Sequence, residues 1–130
     1  MSGLELVGPD AVTGGVPLSP GLRAGDFVYV SGQVARADDG NILIGNFRAE
    51  VDGAIDAVES IIAAAGGTLD DVVKIGAYLS NAVLFAEFNQ VYAERFTGAV
   101  KPTRTTVIVG FGHPDVRVEL DAVAYLPGDR

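Results

Sequence analysis

The chain of 130 residues is 48% hydrophobic and 20% charged and carries a net charge of −8, a composition typical of one ordinary globular domain. The negative charge argues against binding to a nucleic acid or to an anionic membrane surface, because both require clustered Lys and Arg. Without cysteine and with one histidine, a single chain offers no disulfide, no thiolate nucleophile and no multi-histidine metal site. The N-terminus lacks the pattern of a signal peptide, so we expect a cytoplasmic protein with one domain over residues 1–130.

The first part of the chain is predicted to hold two strands separated by an irregular loop. Leu4–Val7 is a short first strand, and Gly and Pro residues then favour a loop that ends at Leu18-Ser19-Pro20. Such a loop is equally a surface turn or the wall of a pocket. After a turn at Arg23–Asp26, Phe27–Ser31 has the composition of a strand. Gly32 follows directly and favours a bulge or the close approach of a backbone or a ligand.

The middle of the chain is predicted to hold two helices with a strand between them. After the short extended segment Ile42–Ile44, apolar residues at helical spacing predict a helix from about Asn46 to Ala65. Val72–Leu79 reads as a strand, and a second helix is predicted from about Val83 to Thr97. Its apolar stripe is interpreted as core and consists of Phe85, Phe88, Val91, Tyr92 and Phe96. Asn89 lies beside this stripe, and its spacing alone favours the helix surface.

The last part of the chain is predicted to hold two strands joined by a turn. Thr105–Val109 follows Pro102 as the first strand, Gly112–Asp115 is the turn, and residues 116–124 alternate as a strand does. Arg104 therefore lies at the start of one strand and Glu119 inside the next. A fixed guanidinium binds a carboxylate through paired donors, and a held carboxylate positions or activates water. The pair predicts a site for a small carboxylic acid.

The order of elements predicts an α+β fold in which two helices cover one face of a single mixed sheet. Apolar residues occur at both parities of the last strands, for example Val107 and Ile108, or Leu120 and Val123. A strand with one face in water alternates more cleanly. We therefore expect the second sheet face to be covered by another copy of the chain in a symmetric homo-oligomer.

Short motifs along the chain occur in the order found in one known family. They are Val28–Gln33, Ala64–Gly67, Val72–Lys74, Tyr78-Leu79, Phe88–Tyr92, Phe96, Pro102–Thr105 and Val118–Ala124. Each motif is weak alone, but the ordered set covers nearly the whole chain. On these motifs the chain resembles the RidA/YjgF/YER057c/UK114 family of reactive-intermediate deaminases, of the L-PSP type.

The resemblance implies a fold, an assembly and an activity. The fold is the chorismate-mutase-like α+β fold, assembled as a homotrimer whose sheets form an inner barrel and whose sites lie in clefts between subunits. The final strand of this fold lies between the first long strand and the middle strand, whereas the short connection of the last two strands favours a hairpin. The implied activity is hydrolysis of small imino or enamino acids, of the 2-iminobutanoate and 2-iminopropanoate type, with neither a metal nor an organic cofactor.

The resemblance also implies roles for individual residues. Arg104 matches the arginine that binds the substrate carboxylate, and Glu119 matches the carboxylate that holds or activates the attacking water. Gly32 and Thr106 match positions whose backbone lies near the substrate. Asn89 matches a polar residue of the site, which replaces the surface interpretation. With the final strand placed centrally, Arg104 and Glu119 are expected to meet across a subunit boundary.

Two residues bear on the substrate. Leu18 stands where many relatives have Tyr, so the substrate-binding wall is expected to be more apolar. His113, the only histidine, is interpreted as a loop residue. A similar His-Pro near the Pro-Thr-Arg-Thr segment occurs in relatives that look like 2-aminomuconate deaminases, which gives a second candidate substrate with His113 near the pocket. Asp121 is interpreted as structural.

The alternatives to an imine deaminase are a 2-aminomuconate or aminoacrylate deaminase and a non-catalytic trimer that binds small carboxylates. Endoribonuclease labels occur among relatives, but the net charge of −8 argues against RNA cleavage. An arginine binds a carboxylate without any catalysis, so a binding protein stays possible. The presence of Glu119 beside Arg104 favours the enzyme.

Overall fold

A computed structural model describes residues 3–8 and 15–128 of the chain. Residues 9–14 of the predicted first loop lie outside the described residues. The regular elements are β1 (Leu4–Val7), β2 (Gly21–Ala24), β3 (Phe27–Gln33), α1 (Phe47–Ala64), β4 (Val72–Leu79), α2 (Phe85–Arg95), β5 (Thr103–Ile108) and β6 (Val118–Tyr125). Within the described ranges, no helix is long and apolar enough to cross a membrane.

The strands form one mixed sheet in the order β1-β2-β3-β6-β4-β5. The strand β6 is antiparallel to both of its neighbours, β3 and β4, and β5 is parallel to β4. The predicted central place of the final strand is confirmed, and the hairpin favoured by local rules is wrong. Every second side chain of β6, starting at Val118, is buried under the helices. Because β6 pairs with a strand along each of its edges, its backbone N–H and C=O groups are hydrogen-bonded. Such pairing suits a buried strand at the centre of the sheet.

The structure corrects one prediction in the first third of the chain and adds detail to another. Residues predicted as a turn at Arg23–Asp26 belong partly to β2, which pairs with β3 through the two-residue turn Gly25-Asp26. Gly25 adopts a φ of +61°, which a tight hairpin of this kind requires. The segment Ile42–Ile44, predicted as extended, belongs to none of the regular strands. Only Ile42 pairs, in a single bridge to Arg36, because the chain folds back there in a local loop.

Both predicted helices are present, and the second is shorter than predicted. The Asn46 side chain accepts a hydrogen bond from the backbone N–H of Ala49 and so starts α1, as the sequence predicts. Residues 82–84, predicted as helix, form a 3₁₀ turn that the Asn81 side chain caps at the N–H of Val83. A side-chain hydrogen bond to an N–H two residues ahead fits a tight turn, so α2 begins only at Phe85.

The two helices cover one sheet face and leave the other open. The buried core lies under α1 and α2 and includes Val28, Ile55, Ile75, Leu79, Phe88 and Leu120, each 0% exposed. Large apolar side chains on the open face are between 39% and 54% exposed: Leu4, Leu6, Phe27, Tyr29, Val107 and Tyr125. Monomeric proteins rarely expose so many apolar side chains on one contiguous surface. This open face fits the expectation that another copy covers it.

An ion pair between the buried Glu50 and the partly exposed Arg117 joins α1 to the start of β6. The Glu50 side chain is 4% exposed, and its carboxylate accepts hydrogen bonds from Nε (3.0 Å) and Nη2 of Arg117. The hydrogen bonds to Glu50 are the main reason that the pKa of Arg117 is raised. The guanidinium also lies over the Phe47 ring, 5.3 Å from its centroid. Because Glu50 is buried, its charge depends on Arg117 for compensation.

We expect Arg117→Ala to lower the free energy of unfolding by about 3 kcal/mol, because it leaves the Glu50 carboxylate buried and unpaired. The exposed pair Arg48–Glu94 supplies the matched control, and Arg48→Ala is expected to cost less than about 1 kcal/mol. Urea denaturation at one protein concentration measures both changes. Equal effects of the two substitutions would contradict the role of burial.

Candidate functional site

Arg104 is held in place by α2 although it belongs to the edge strand β5. Its side chain points to the helix-covered face, since its strand partner Ile75 is fully buried there. Nη2 of Arg104 donates a hydrogen bond of 2.7 Å to Oδ1 of Asn89. Asn89 therefore contacts Arg104 and is not an independent surface residue. This contact agrees with the interpretation from the family resemblance and not with the one from helical spacing alone.

Three aromatic rings of α2 surround the guanidinium of Arg104. Its central carbon lies 4.7 Å from the ring centroid of Tyr92, 5.2 Å from Phe88 and 5.8 Å from Phe85. The rings attract the cation and exclude water from its faces. Burial raises the pKa of the Tyr92 hydroxyl, against the opposing effect of the Arg104 charge. The Tyr92 oxygen is buried and has no hydrogen-bond partner among the residues that the structure describes.

Most donors of Arg104 are free to bind a ligand. A guanidinium has five N–H groups, and within the described part of the chain Arg104 makes one hydrogen bond and no ion pair with a carboxylate. Thr106 follows two residues later on the same side of β5 and is half-buried. The side chains around Arg104 fix its position and leave its carboxylate-binding edge open.

Glu119 lies in the middle of the sheet on the open face. Its register partner is Tyr78 on β4, and on its other side β3 bulges between Val30 and Gln33. Gly32 lies in this bulge, and a Cβ atom added there would stand 2.5 Å from Oε2 of Glu119. The predicted bulge at Gly32 is confirmed, and the group that approaches Gly32 closely is the Glu119 side chain rather than a backbone or a ligand.

Burial raises the pKa of Glu119, and the negative charge of Asp121 raises it further. Asp121 lies two residues along β6 on the same face and is itself fixed. Its Oδ2 accepts a hydrogen bond of 2.7 Å from the Tyr78 hydroxyl, and its Oδ1 accepts one of 3.1 Å from the Gly76 N–H. The hydrogen bond to Asp121 raises the pKa of Tyr78. Asp121 thus combines the structural role predicted for it with an electrostatic effect on Glu119.

The loop that contains Leu18 is tied to the strand of Gly32. The Ser31 hydroxyl donates to the carbonyl of Ser19, and the Ser31 N–H donates to the carbonyl of Pro20 over 2.9 Å. Leu18 itself is 49% exposed. Ser19 and Pro20, which follow Leu18, are therefore held against the strand that leads to Gly32.

The chain brings the predicted site residues together as two separate groups. Arg104, Asn89 and Thr106 lie at the edge strand on the helix side, whereas Glu119 lies against Gly32 on the open face, and Leu18 belongs to the loop that is hydrogen-bonded to Ser31. Glu119 is in register with Val107 through Tyr78, and Arg104 is three residues before Val107. An odd offset places the two side chains on opposite faces. Two strand spacings and three residues separate their backbones, about 10 Å in each direction.

His113 lies in the exposed loop after β5, as predicted, and also lines a cavity with Glu119. Its Nδ1 accepts a hydrogen bond of 3.1 Å from the N–H of Asp115. No group of three or more His, Asp or Glu side chains in the described ranges is arranged to hold a metal ion.

Sequence reasoning missed the aromatic rings around Arg104, which were interpreted only as core. A signal for them exists in the spacing: Phe85, Phe88 and Tyr92 stand at positions i, i+3 and i+7 of one helix face, the face that also carries Asn89. Once Asn89 is placed in the site, the rings that flank it follow. The contact between Asp121 and Tyr78 had no comparable signal, because it depends on strand register.

The chain matches one family model over most of its length. A model described as Endoribonuclease L-PSP matches residues 9–126. RutC family proteins of Pyrococcus abyssi and Pyrococcus horikoshii are each 36% identical to the chain over 110 residues, which are 84% of this chain and 86% of each relative.

Solved structures share the fold over nearly the whole chain. Yeast Mmf1 superposes with a TM-score of 0.84 at 31% identity, over 95% of this chain and 98% of that one. E. coli TdcF, solved with bound serine, superposes with a TM-score of 0.83 at 26% identity, over 93% of this chain and 98% of that one. The E. coli YjgF gene product superposes with a TM-score of 0.78 at 28% identity, over 85% of this chain and 88% of that one, so the mixed sheet with two helices is the fold of Rid/YjgF proteins.

Proposed function

The chain belongs to the Endoribonuclease L-PSP family, and from this premise we propose that it is a Rid-type deaminase that hydrolyses 2-imino acids to 2-oxo acids and ammonia. The substrates are small imino or enamino acids of the 2-iminobutanoate and 2-iminopropanoate type. The observation that carries the proposal is the guanidinium of Arg104, which Asn89 and three rings fix while most of its donors stay free. Binding of serine to the relative TdcF supports a ligand with an α-carboxylate.

The proposed active form is a homotrimer, as in the family that the motifs resemble. Arg104 and Glu119 of one chain lie on opposite sheet faces, so one small molecule cannot contact both. A neighbouring subunit packed on the open face supplies the missing half, and the exposed apolar side chains of that face support such packing. Each site then combines Arg104, Asn89 and Thr106 of one subunit with Glu119, Gly32 and Leu18 of the next.

In the proposed mechanism, Arg104 binds the carboxylate and places the adjacent imine carbon near Glu119. Glu119 accepts a proton from water while the water oxygen bonds to that carbon and the C=N electron pair moves to nitrogen, and Glu119 then passes the proton to that nitrogen. The resulting carbinolamine loses ammonia as Glu119 moves the hydroxyl proton to the leaving nitrogen, the C–N bond breaks and the C=O bond forms. An enamine first takes a proton at carbon. The raised pKa of Glu119, caused by burial and by Asp121, suits a group that both accepts and donates protons.

The endoribonuclease description of the family is less compatible with this chain. The net charge is −8, and an RNA-binding surface needs clustered cations to neutralise phosphates. Arg117 is paired with Glu50, and Arg104 offers its free donors from among three aromatic rings. A single guanidinium fits one carboxylate better than a polynucleotide backbone.

A coupled assay tests the proposal. An amino-acid oxidase generates imino acids in situ from a series of amino acids from alanine to leucine, and semicarbazide traps the imine that remains. We expect the protein to accelerate formation of the 2-oxo acid above the spontaneous rate. Because Leu18 makes the wall more apolar, the acceleration is expected to extend to branched aliphatic side chains. Binding of 2-oxo acids without acceleration of any imine would leave a carboxylate-binding protein instead.

The pH profile tests the influence of Asp121 on Glu119. If the ionised form of Glu119 activates water, kcat/KM rises as pH increases through the pKa of Glu119. Since the charge of Asp121 raises that pKa, Asp121→Asn is expected to move the acid limb to lower pH. The exposed Asp26 supplies the control Asp26→Asn, which should leave the limb in place. A limb that moves to higher pH in Asp121→Asn would contradict this reasoning.

A further inference from the structure

A cavity beside Glu119 is not used by the proposed reaction of small imino acids. Its volume is ≈ 290 Å³, comparable to the liquid volume of about ten water molecules. Glu119 forms part of its wall, so the cavity is continuous with the place where water attacks. A methyl or ethyl side chain fills a small part of this space.

The cavity lies between the end of β3, the loop after it and the loop after β5. Apolar and basic side chains both line it: Val34, Ile42, Phe111 and Val116 on the one hand, Arg36 and His113 on the other. Apolar walls suit a short carbon chain. The guanidinium of Arg36 and a ring N–H of His113 suit an anionic group at the end of that carbon chain.

The position of Arg36 is fixed by its own loop. Its Nη1 donates a hydrogen bond of 3.0 Å to the carbonyl of Gly40, and its backbone pairs with Ile42. Among residues 3–8 and 15–128, no carboxylate lies within ion-pair distance of Arg36. The guanidinium therefore keeps most of its N–H donors for a group in the cavity.

His113 offers a donor to the same space. Its Nδ1 accepts the N–H of Asp115, so the neutral ring carries its proton on Nε2. The Asp115 carboxylate stands 4.0 Å from Nδ1. Glu119, Asp115 and Asp39, whose carboxylate accepts two hydrogen bonds from Asn41 of the cavity wall, would oppose an anion here, and Arg36 is the charge that offsets them.

The geometry points to a side-chain subsite for 2-imino acids that carry a second carboxylate, bound by Arg36 and by Nε2 of His113. This assignment rests on the proposed function, because Glu119 is taken as the reacting end of the cavity. Arg104 of the neighbouring subunit would bind the α-carboxylate and Arg36 the distal one. Substrates of this class are the imines of acidic amino acids.

Steady-state kinetics test the subsite. 2-Iminoglutarate and 2-iminobutanoate are generated in situ by a glutamate oxidase and a general amino-acid oxidase. We expect kcat/KM for the diacid to be at least equal to that for the monoacid. Because a charge-assisted hydrogen bond is lost, Arg36→Gln should lower the ratio of the two about tenfold, mainly through KM. His113→Gln should lower the ratio about threefold, since it removes a neutral donor.

Arg48→Gln is the matched control, because Arg48 is an exposed arginine paired with Glu94 outside the site; it should leave the ratio unchanged. The subsite is overturned if the monoacid is the better substrate by more than tenfold, or if Arg36→Gln leaves the ratio within twofold.

Calorimetry with 2-oxoglutarate and 2-oxobutanoate separates failure of the subsite from failure of the deaminase proposal. If 2-oxoglutarate binds more tightly than 2-oxobutanoate, and Arg36→Gln abolishes this preference, the subsite is supported even if no imine is hydrolysed. Equal binding of both acids by an active deaminase overturns the subsite and leaves the deaminase proposal standing.

Discussion

Arg104→Ala is expected to lower kcat/KM for 2-imino acids about a thousandfold. A bidentate carboxylate contact consists of two charge-assisted hydrogen bonds of about 1.5–3 kcal/mol each, which together correspond to roughly 10²–10⁴ in rate. Arg104→Lys keeps the charge but loses the paired donors and their stacking on the rings of α2. It should therefore recover only part of the loss and remain about ten- to a hundredfold below the wild type.

Arg48→Ala is the control for general effects of removing an arginine, since Arg48 lies on the helix surface in an exposed ion pair. Thermal unfolding of each variant establishes that it is folded. A folded Arg104→Ala protein with wild-type deaminase activity would refute the role of Arg104. A folded Arg104→Lys protein as active as the wild type would refute the paired contact while leaving a role for the charge.

Two inactive variants are expected to restore activity when they assemble together. Arg104→Ala and Glu119→Gln chains each lack one half of the site, and the halves lie on opposite sheet faces. If each site takes one half from each of two neighbouring subunits, random association of equal amounts completes roughly a quarter of all sites, which corresponds to one of the three sites in every mixed trimer. Co-expression with two different tags, followed by purification on both, yields the mixed oligomer for the deaminase assay.

The double variant Arg104→Ala/Glu119→Gln is the control partner. Mixed with either single variant it completes no site, so no activity should return. Native mass spectrometry establishes the composition of each mixture and the number of subunits. Verified mixed trimers without recovered activity would contradict a site shared between neighbouring subunits, and a monomeric protein would overturn the proposed assembly itself.

Local sequence determined the helices and most strands, because their signals are short-range. The apolar spacing of Phe47, Val51 and Ile55 gives α1 its buried face whatever the rest of the chain does. The strand β2 was missed because four residues between a loop and a turn carry too little pattern. Its pairing with β3, rather than its own composition, makes it a strand.

The place of β6 shows the limit of local rules. A short connection after β5 favoured a hairpin, yet β6 inserts between β3 and β4. The ordered motifs predicted this arrangement where loop length alone failed. Strand order depends on which faces are buried and which edges are hydrogen-bonded across the whole sheet. A short stretch of sequence does not contain that information.

The sequence by itself determined which residues are candidates for the chemistry. The Pro-Thr-Arg-Thr motif and the alternation of β6 identified Arg104 and Glu119 as an arginine and a carboxylate suited to a small acid, and the acidic composition disfavoured nucleic acids. Only the tertiary structure decided where these groups stand. Strand register places Arg104 and Glu119 on opposite faces, α2 surrounds Arg104 with rings, and two loops far apart in the chain bring Arg36 beside Glu119. These relative positions arise from strand pairing and packing between residues far apart in the chain. The type of a residue determines the chemistry of its side chain but not which side chains surround it.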